Sequence, residues 1–383
     1  MTAASPIWPE NAGGPPRTVT DVRLTGFSSR APLADALAWI DARTAALPTE
    51  RVALADAAER VLAAPFASPV DWPAVDCAGL DGYAVRASET EGASDYNPLP
   101  INAHALIAAG LPMPAGTDAV LPFASAQPRG PALDALAPVA RGAGVDRRGS
   151  IMAAGSTAVA PGRLRPQHVA LLLALGADAV AMVRCPVVAL VVAGPKSGPD
   201  LLSPMLHALV ARDGGRAEAT TLPAAGADLI LMAGRSGAGP DDDAAQRLAE
   251  ADGMLEVHGI ALRPGDSAGL GQIGGVPVLL LPGAPHACLT AYDLLAARAV
   301  RRLAGMEPLQ PYAGTERILE RKAVSAVGFT DVIQVRISRT HAVPLAPADA
   351  GTLAGAARAD GFIVVPEASE GFPAGATVQV YRP

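Results

Sequence analysis

Apolar residues follow two different rhythms along this chain. From Pro32, residues Leu33, Leu37, Ile40 and Leu47 fall at helical spacing and predict an amphipathic helix. A second short helix is expected over about 53–63, and another over 166–176 that stops at Gly176. The pattern then changes. Val187–Ala193 is a short continuous apolar run, as in a strand buried on both faces. A helix at about 200–212, strands near 217–222 and 228–232, and a helix over about 242–251 follow. Next come a buried strand at Val276–Leu281 and a long helix over about 286–304. This alternation predicts a doubly wound α/β domain with a parallel sheet between two helical layers.

The flanks read differently. Residues 1–30 are rich in Pro, Gly, Ser and Thr without periodicity and are expected to form a mobile tail. Between 101 and 150, short extended pieces such as Ala105–Ala109 and Ala119–Pro122 are divided by Gly and Pro, which predicts a small β-rich insertion. After Pro308 the pattern returns to strands at Thr315–Leu319, Asp331–Ser338, Gly361–Val365 and Thr377–Tyr381, expected to form a barrel-like C-terminal domain.

Composition narrows the function. The chain has 383 residues, enough for two to four domains. Half of them are hydrophobic but only 4% are aromatic, so the core must be built from Ala, Val and Leu. A net charge of -7 argues against coating nucleic acid. Cys77, Cys185 and Cys288 lie far apart, with no spacing of a zinc site or disulfide framework. No apolar run is long enough to span a bilayer and no leader pattern is evident, so the expected location is cytoplasmic.

Ligands of open α/β sheets bind beyond the carboxyl ends of the strands. Three such ends carry glycine-rich turns: Gly194-Pro195-Lys196-Ser197, Gly234-Arg235-Ser236-Gly237-Ala238-Gly239 and Pro282-Gly283-Ala284-Pro285. Glycine lets backbone approach a ligand, and free N–H groups favour anions. Each loop alone could equally be a plain tight turn; three together favour a phosphate cradle with Arg235 as charge partner. Asp241, Asp242 and Asp243 either complement a helix N-terminus or hold a divalent ion near a phosphate. Arg263-Pro264-Gly265-Asp266 reads as an exposed rigid turn, and His258 as a hydrogen-bonded structural histidine. Asp76 and Asp81 flank a glycine-rich turn that could serve metal or proton chemistry or form a local hydrogen-bond network.

These segments, in this order, resemble the molybdopterin molybdenumtransferases, including the E domain of gephyrin. The resemblance rests on Asp81-Gly82-Tyr83-Ala84-Val85-Arg86, Ala109-Gly110-Leu111-Pro112, Gly116-Thr117-Asp118-Ala119-Val120 and Leu164-Arg165-Pro166. It continues through Leu175-Gly176, His258-Gly259-Ile260-Ala261-Leu262-Arg263-Pro264-Gly265, Leu281-Pro282-Gly283-Ala284-Pro285 and Ala359-Asp360-Gly361-Phe362-Ile363-Val364-Val365-Pro366-Glu367. It implies an elongated linker domain over 31–88 and 150–182, an inserted β domain over 89–149, an α/β molybdopterin-binding-like domain over 183–308 and a β barrel over 309–383. It implies a homodimer that inserts molybdate into adenylylated molybdopterin with a divalent cation such as Mg2+ assisting. A molybdoenzyme or the adenylyltransferase is a further partner it suggests. Carried onto this chain, it places Asp81, Asp241 and Arg263 in catalysis and Asp241 and Asp242 at the metal. Gly194, Ser197, Gly234, Arg235, Ser236, Gly237, Gly239, Pro264, Gly265, Pro282 and Gly283 would hold the cofactor.

The chain departs from the family pattern at polar positions. Cys77-Ala78 stand where an amide and a hydroxyl are usual, and Gly149-Ser150-Ile151 where two carboxylates follow glycine. Pro240 replaces one acid, Ala284 an amide, and Asp266 reverses a positive charge. The expectation is an insertase with an adapted site; the alternative is a non-catalytic relative that carries molybdopterin or its loaded form.

Overall fold

The computed structural model describes residues 21–102, 104–194, 198–308, 312–346 and 351–382. Its chain forms two compact units, one of residues 51–182 and one that combines the segments on either side. Residues 1–20 of the expected tail lie outside the described residues, as does Ser197.

In the second unit a six-stranded sheet runs in the order Arg216–Ala219, Val187–Val192, Leu229–Ala233, Val276–Leu281, Gly269–Ile273, Met254–His258. The first four strands are parallel. The last two, which the apolar pattern did not single out, extend the sheet antiparallel. In Gly269–Ile273, glycines explain the missing signal: a side chain at Gly269 or Gly271 would collide with a backbone oxygen of Met254–His258. Alternate residues of Val187–Val192 face opposite cores, as the period of a strand requires. Val188 and Leu190 pack with the helix Leu202–Arg212 and the long helix that begins at Pro285. Ala189 and Val191 pack with Ala244 and Leu248 of the helix Ala244–Glu250. The long helix continues as a π-helical turn, Tyr292–Ala296, and then Ala297–Leu303. The helix Leu33–Arg43 joins the first of these cores through Ala36, Trp39 and Ile40.

Five strands close the C-terminal barrel: Thr330–Ser338, His341–Pro344, Ala313–Leu319, Thr377–Arg382 and Gly361–Val365, the last pairing back onto the first. Leu319, Val335, Ala342, Ile363, Val378 and Val380 fill it. The short strand Leu262–Arg263 lies parallel to Thr330–Ser338.

The unit of residues 51–182 is built from small sheets. Gly82–Val85 sits between His104–Ile107 and Ala119–Pro122, and a helix spans Pro166–Ala174. The helix expected over 53–63 does not form. A single 3₁₀ turn at Leu54–Asp56 and a strand at Val61–Leu62 stand there instead. Glu59 between them has a φ of 65°, outside any helix. Val52, Leu54, Ala57 and Leu62 are all buried, but in a core shared with Leu164, Leu172 and Met182 that a regular helix would not fill from both sides.

Residues 21–31, mostly within the expected tail, are packed. Leu24 N–H donates to Ala238 O at 2.9 Å, and Ala31 exchanges hydrogen bonds with Gly259 and Ala261. Phe27 stands edge-on to His258 at 5.0 Å. The absence of periodicity reflects a strap pinned by a few contacts rather than a helix or strand.

Candidate functional site at the strand ends

The glycine-rich turns converge. Ala193 N–H donates to Ala233 O at 2.8 Å, and Gly234 N–H to Leu281 O at 3.0 Å, so the loop stems continue the strand pairing. A side chain at Gly283 would lie 3.4 Å from Gly234 Cα and 3.7 Å from Arg235 N. Two adjoining clefts open there. One of about 340 Å³ is lined by Gly194, Asp200, Gly234, Arg235, Asp242 and Gly283, among others. The second, of about 350 Å³, is lined by Arg235, Ser236, Gly237, Gly265, Asp266 and Ser267 with Pro282 and Gly283.

The backbone supplies the donors. Among the described residues, the N–H groups of Arg235, Ser236, Gly237, Ala238, Gly283 and Ala284 have no protein acceptor. Arg235 holds a positive φ of 55°, the left-handed conformation that turns successive amides toward one side. Its guanidinium is 39% exposed and only loosely paired with Asp243 at 3.3 Å, which leaves it able to reach a ligand. The helix that begins at Leu202 contributes less: Asp200 Oδ1 already accepts its first N–H groups, from Leu202 at 3.0 Å and Ser203 at 3.1 Å. Those contacts, led by the Ser203 hydroxyl, hold the Asp200 pKa below the usual carboxylate value.

Carboxylates crowd this rim, yet each is engaged. Asp242 Oδ2 accepts Gly239 N–H at 2.7 Å and sits against Gly237, so it ties the glycine loop shut. Asp243 faces Arg235. Asp266 is paired with Arg30 at 2.6 Å. Asp241 is exposed. No three His, Cys, Asp or Glu side chains converge as a metal site among the described residues. The acidic run therefore does not fit a protein-only Mg2+ site; Asp242 serves the loop. An Asp242→Asn change keeps an acceptor for Gly239 and removes a charge. The expected result is pyrophosphate affinity unchanged or up to about tenfold tighter by calorimetry. Loss of binding would show that the carboxylate holds a cation instead.

His258 sits behind the glycine loop. Its Nε2–H donates to Ser236 O at 2.8 Å, while Nδ1 is buried without a partner. Burial, the largest cause, pushes its pKa below the ordinary 6.5. Below that ordinary value the unfolded chain takes up the proton first, so stability present at neutral pH is lost as pH falls toward the depressed folded value. The melting temperature should therefore fall between about pH 7 and pH 5, and fall less steeply in His258→Gln. Equal slopes would remove His258 from this role.

Arg263 and Pro264 stand at the edge of the turn, but Arg263 is turned toward the barrel strand Thr330–Ser338. Its Nε and Nη2 bond both oxygens of Asp331, at 2.7 and 2.6 Å, and its guanidinium lies over the Phe329 ring at 4.5 Å. The Asp331 hydrogen bonds raise the Arg263 pKa further. Gly265 and Ser267 do line the cleft, and Ser267 Oγ is 3.1 Å from Ser236 Oγ. Asp81 belongs to the unit of residues 51–182, where its Oδ1 accepts Ala109 N–H at 2.8 Å. Sequence reasoning did not find Arg30, Phe27, Phe329 or Asp331. The one available signal was the reversed charge at Asp266, which demands a counter-charge without saying from where.

A doubly wound domain with unpaired amides in the turns at its strand ends, followed by a closed β barrel, defines a multidomain α/β-plus-barrel protein. Family profiles match in the same order: the MoeA N-terminal region, domains I and II, over residues 31–176; a probable molybdopterin binding domain over 204–302; and the MoeA C-terminal region, domain IV, over 317–382. The chain belongs to the MoeA family, that of the molybdopterin molybdenumtransferases. It is 26% identical to molybdopterin molybdenumtransferase 2 of Mycobacterium tuberculosis over 317 residues, covering 68% of this chain and 77% of that one. With the molybdopterin molybdenumtransferase of Staphylococcus aureus the identity is 22% over 397 residues, covering 91% and 94%. A crystal structure of the molybdopterin biosynthesis MoeA protein from Pyrococcus horikosii superimposes with a TM-score of 0.73 at 26% identity, over 92% of this chain and 99% of that one.

Proposed function

We propose that this chain acts in molybdenum cofactor biosynthesis as a transferase that inserts molybdate into molybdopterin, taken in adenylylated form. The observation that carries this reading is the set of unpaired N–H groups at Arg235–Gly237 and Gly283–Ala284, whose residues line the second cleft within the region matched to a molybdopterin binding domain. Oriented amides bind phosphate oxygens without reorganising, and Arg235 adds a full charge at the same wall. The clefts are of the size that small-molecule sites have. No three acidic side chains converge among the described residues, so an assisting Mg2+ would be held by one or two carboxylates together with substrate phosphate.

The homodimer, a molybdoenzyme or adenylyltransferase partner, and a cytoplasmic location belong to the same proposal. They rest on the family; the structure adds that no helix among the described residues is long and apolar enough to cross a membrane. A carrier that binds molybdopterin without turnover remains a defined second reading. It is favoured by Arg263, whose pairing with Asp331 removes a cation from the cleft.

The test combines two measurements. Protein purified from cells that make molybdopterin is oxidised, and pterin fluorescence is read; separately, the gene is expressed in cells lacking their own insertase. Bound pterin with restored molybdoenzyme activity is the expected result. Bound pterin without rescue selects the carrier. No pterin in folded protein overturns both.

A further inference from the structure

Asp266 lines the second cleft with a negative charge, where an anionic ligand would meet repulsion. The strap of residues 21–31 answers it. Arg30 Nη2 lies 2.6 Å from Asp266 Oδ2. Its guanidinium stands over two rings, Phe27 at 5.2 Å and Phe329 at 5.4 Å, and its Nε is buried without a partner. Such stacking fixes the plane of the group, which a lysine could not reproduce. Asp266 carries out the same fixing on the turn: its backbone O accepts Ile260 N–H at 3.1 Å.

The contacts form a closed circuit. Arg30 holds Asp266; the next residue, Ser267, meets Ser236 of the glycine loop. Ser236 O accepts from His258, His258 packs on Phe27, and Phe27 packs under Arg30. A second tether links Leu24 N–H to Ala238 O in the same loop. The strap thus contacts both the turn and the glycine loop, and it pairs with Asp266, the one carboxylate lining the second cleft, among the described residues, that no backbone N–H engages.

We propose that Arg30 is a positioning residue of the anion site: it acts through Asp266, whose charge it cancels beside the ligand. The chain thereby restores from its N-terminal strap a charge balance that Asp266 alone would upset. This inference rests on the reading of the strand ends as an anion site.

Calorimetry on the full chain with inorganic pyrophosphate tests it, using Arg30→Gln, Asp266→Asn and the double variant, at two salt concentrations. Arg30→Gln exposes the Asp266 charge, so affinity should fall on the order of tenfold, and by less at high salt. Asp266→Asn should bind at least as tightly as the parent. The double variant, with no charge to cancel, should recover most of the loss although the ion pair is gone. A merely structural pair would leave the double variant as weak as Arg30→Gln, which overturns the proposal. So would unchanged binding in folded Arg30→Gln, whose folding is checked by its melting curve. If the parent itself binds no pyrophosphate, the anion-site reading fails first, and the Arg30 inference falls with it.

Discussion

Gly234→Val is expected to weaken pyrophosphate binding by more than tenfold, measured by calorimetry, with the fold retained. Gly234 holds a φ of 91°, where a β-branched residue is strained by about 1–3 kcal/mol. A Cβ there would meet Ala193 Cβ at 3.1 Å, closer than ordinary packing allows. Gly234 N–H also bonds Leu281 O, so a shift at this residue moves two of the three strand-end loops at once. The unpaired amides of 235–237, whose residues line the clefts, would then be displaced. Binding at parental strength would mean that the anion is held elsewhere, and the functional proposal would lose its main support.

Arg263→Ala is expected to destabilise the chain by about 2 kcal/mol while changing pyrophosphate affinity less than twofold. Asp331 is 7% exposed and accepts from Arg263 through both oxygens and from Ser325 Oγ at 2.7 Å. Removing the guanidinium leaves a buried carboxylate with one hydroxyl partner. Loss of one partner from a fully buried pair costs roughly 3–5 kcal/mol; the figure is discounted here because Arg263 remains 39% exposed. The check is a denaturant midpoint beside a binding isotherm. A large drop in affinity with unchanged stability would return Arg263 to the ligand and weaken the carrier reading.

These two experiments separate groups that the sequence alone could not tell apart. Arg235 and Arg263 both follow strand-like segments in glycine-containing turns, and both were candidates for an anion. The structure turns Arg235 toward the cleft and gives Arg263 to Asp331, 68 residues later in the chain. Asp242 and Asp266 both looked like charges facing a ligand. One ties its own loop through Gly239, and the other is covered by Arg30, 236 residues earlier. Pair partners at such separations leave no local trace, because charge complementarity has no period along the chain.

What the sequence determined by itself is the part governed by local rules. Continuous apolar runs such as Val276–Leu281 became buried strands, since burial on both faces leaves no polar position. The alternation of strands with helices fixed the doubly wound domain, and glycine at strand ends marked where backbone could approach a ligand. Only the tertiary structure decided which amides stay unpaired, which carboxylates are neutralised, and that residues 21–31 form a packed strap instead of a tail. It also placed the strands Gly269–Ile273 and Met254–His258 beside the parallel ones. Those outcomes depend on contacts between distant segments, whose energies are set by geometry after folding and not by any spacing of residue types.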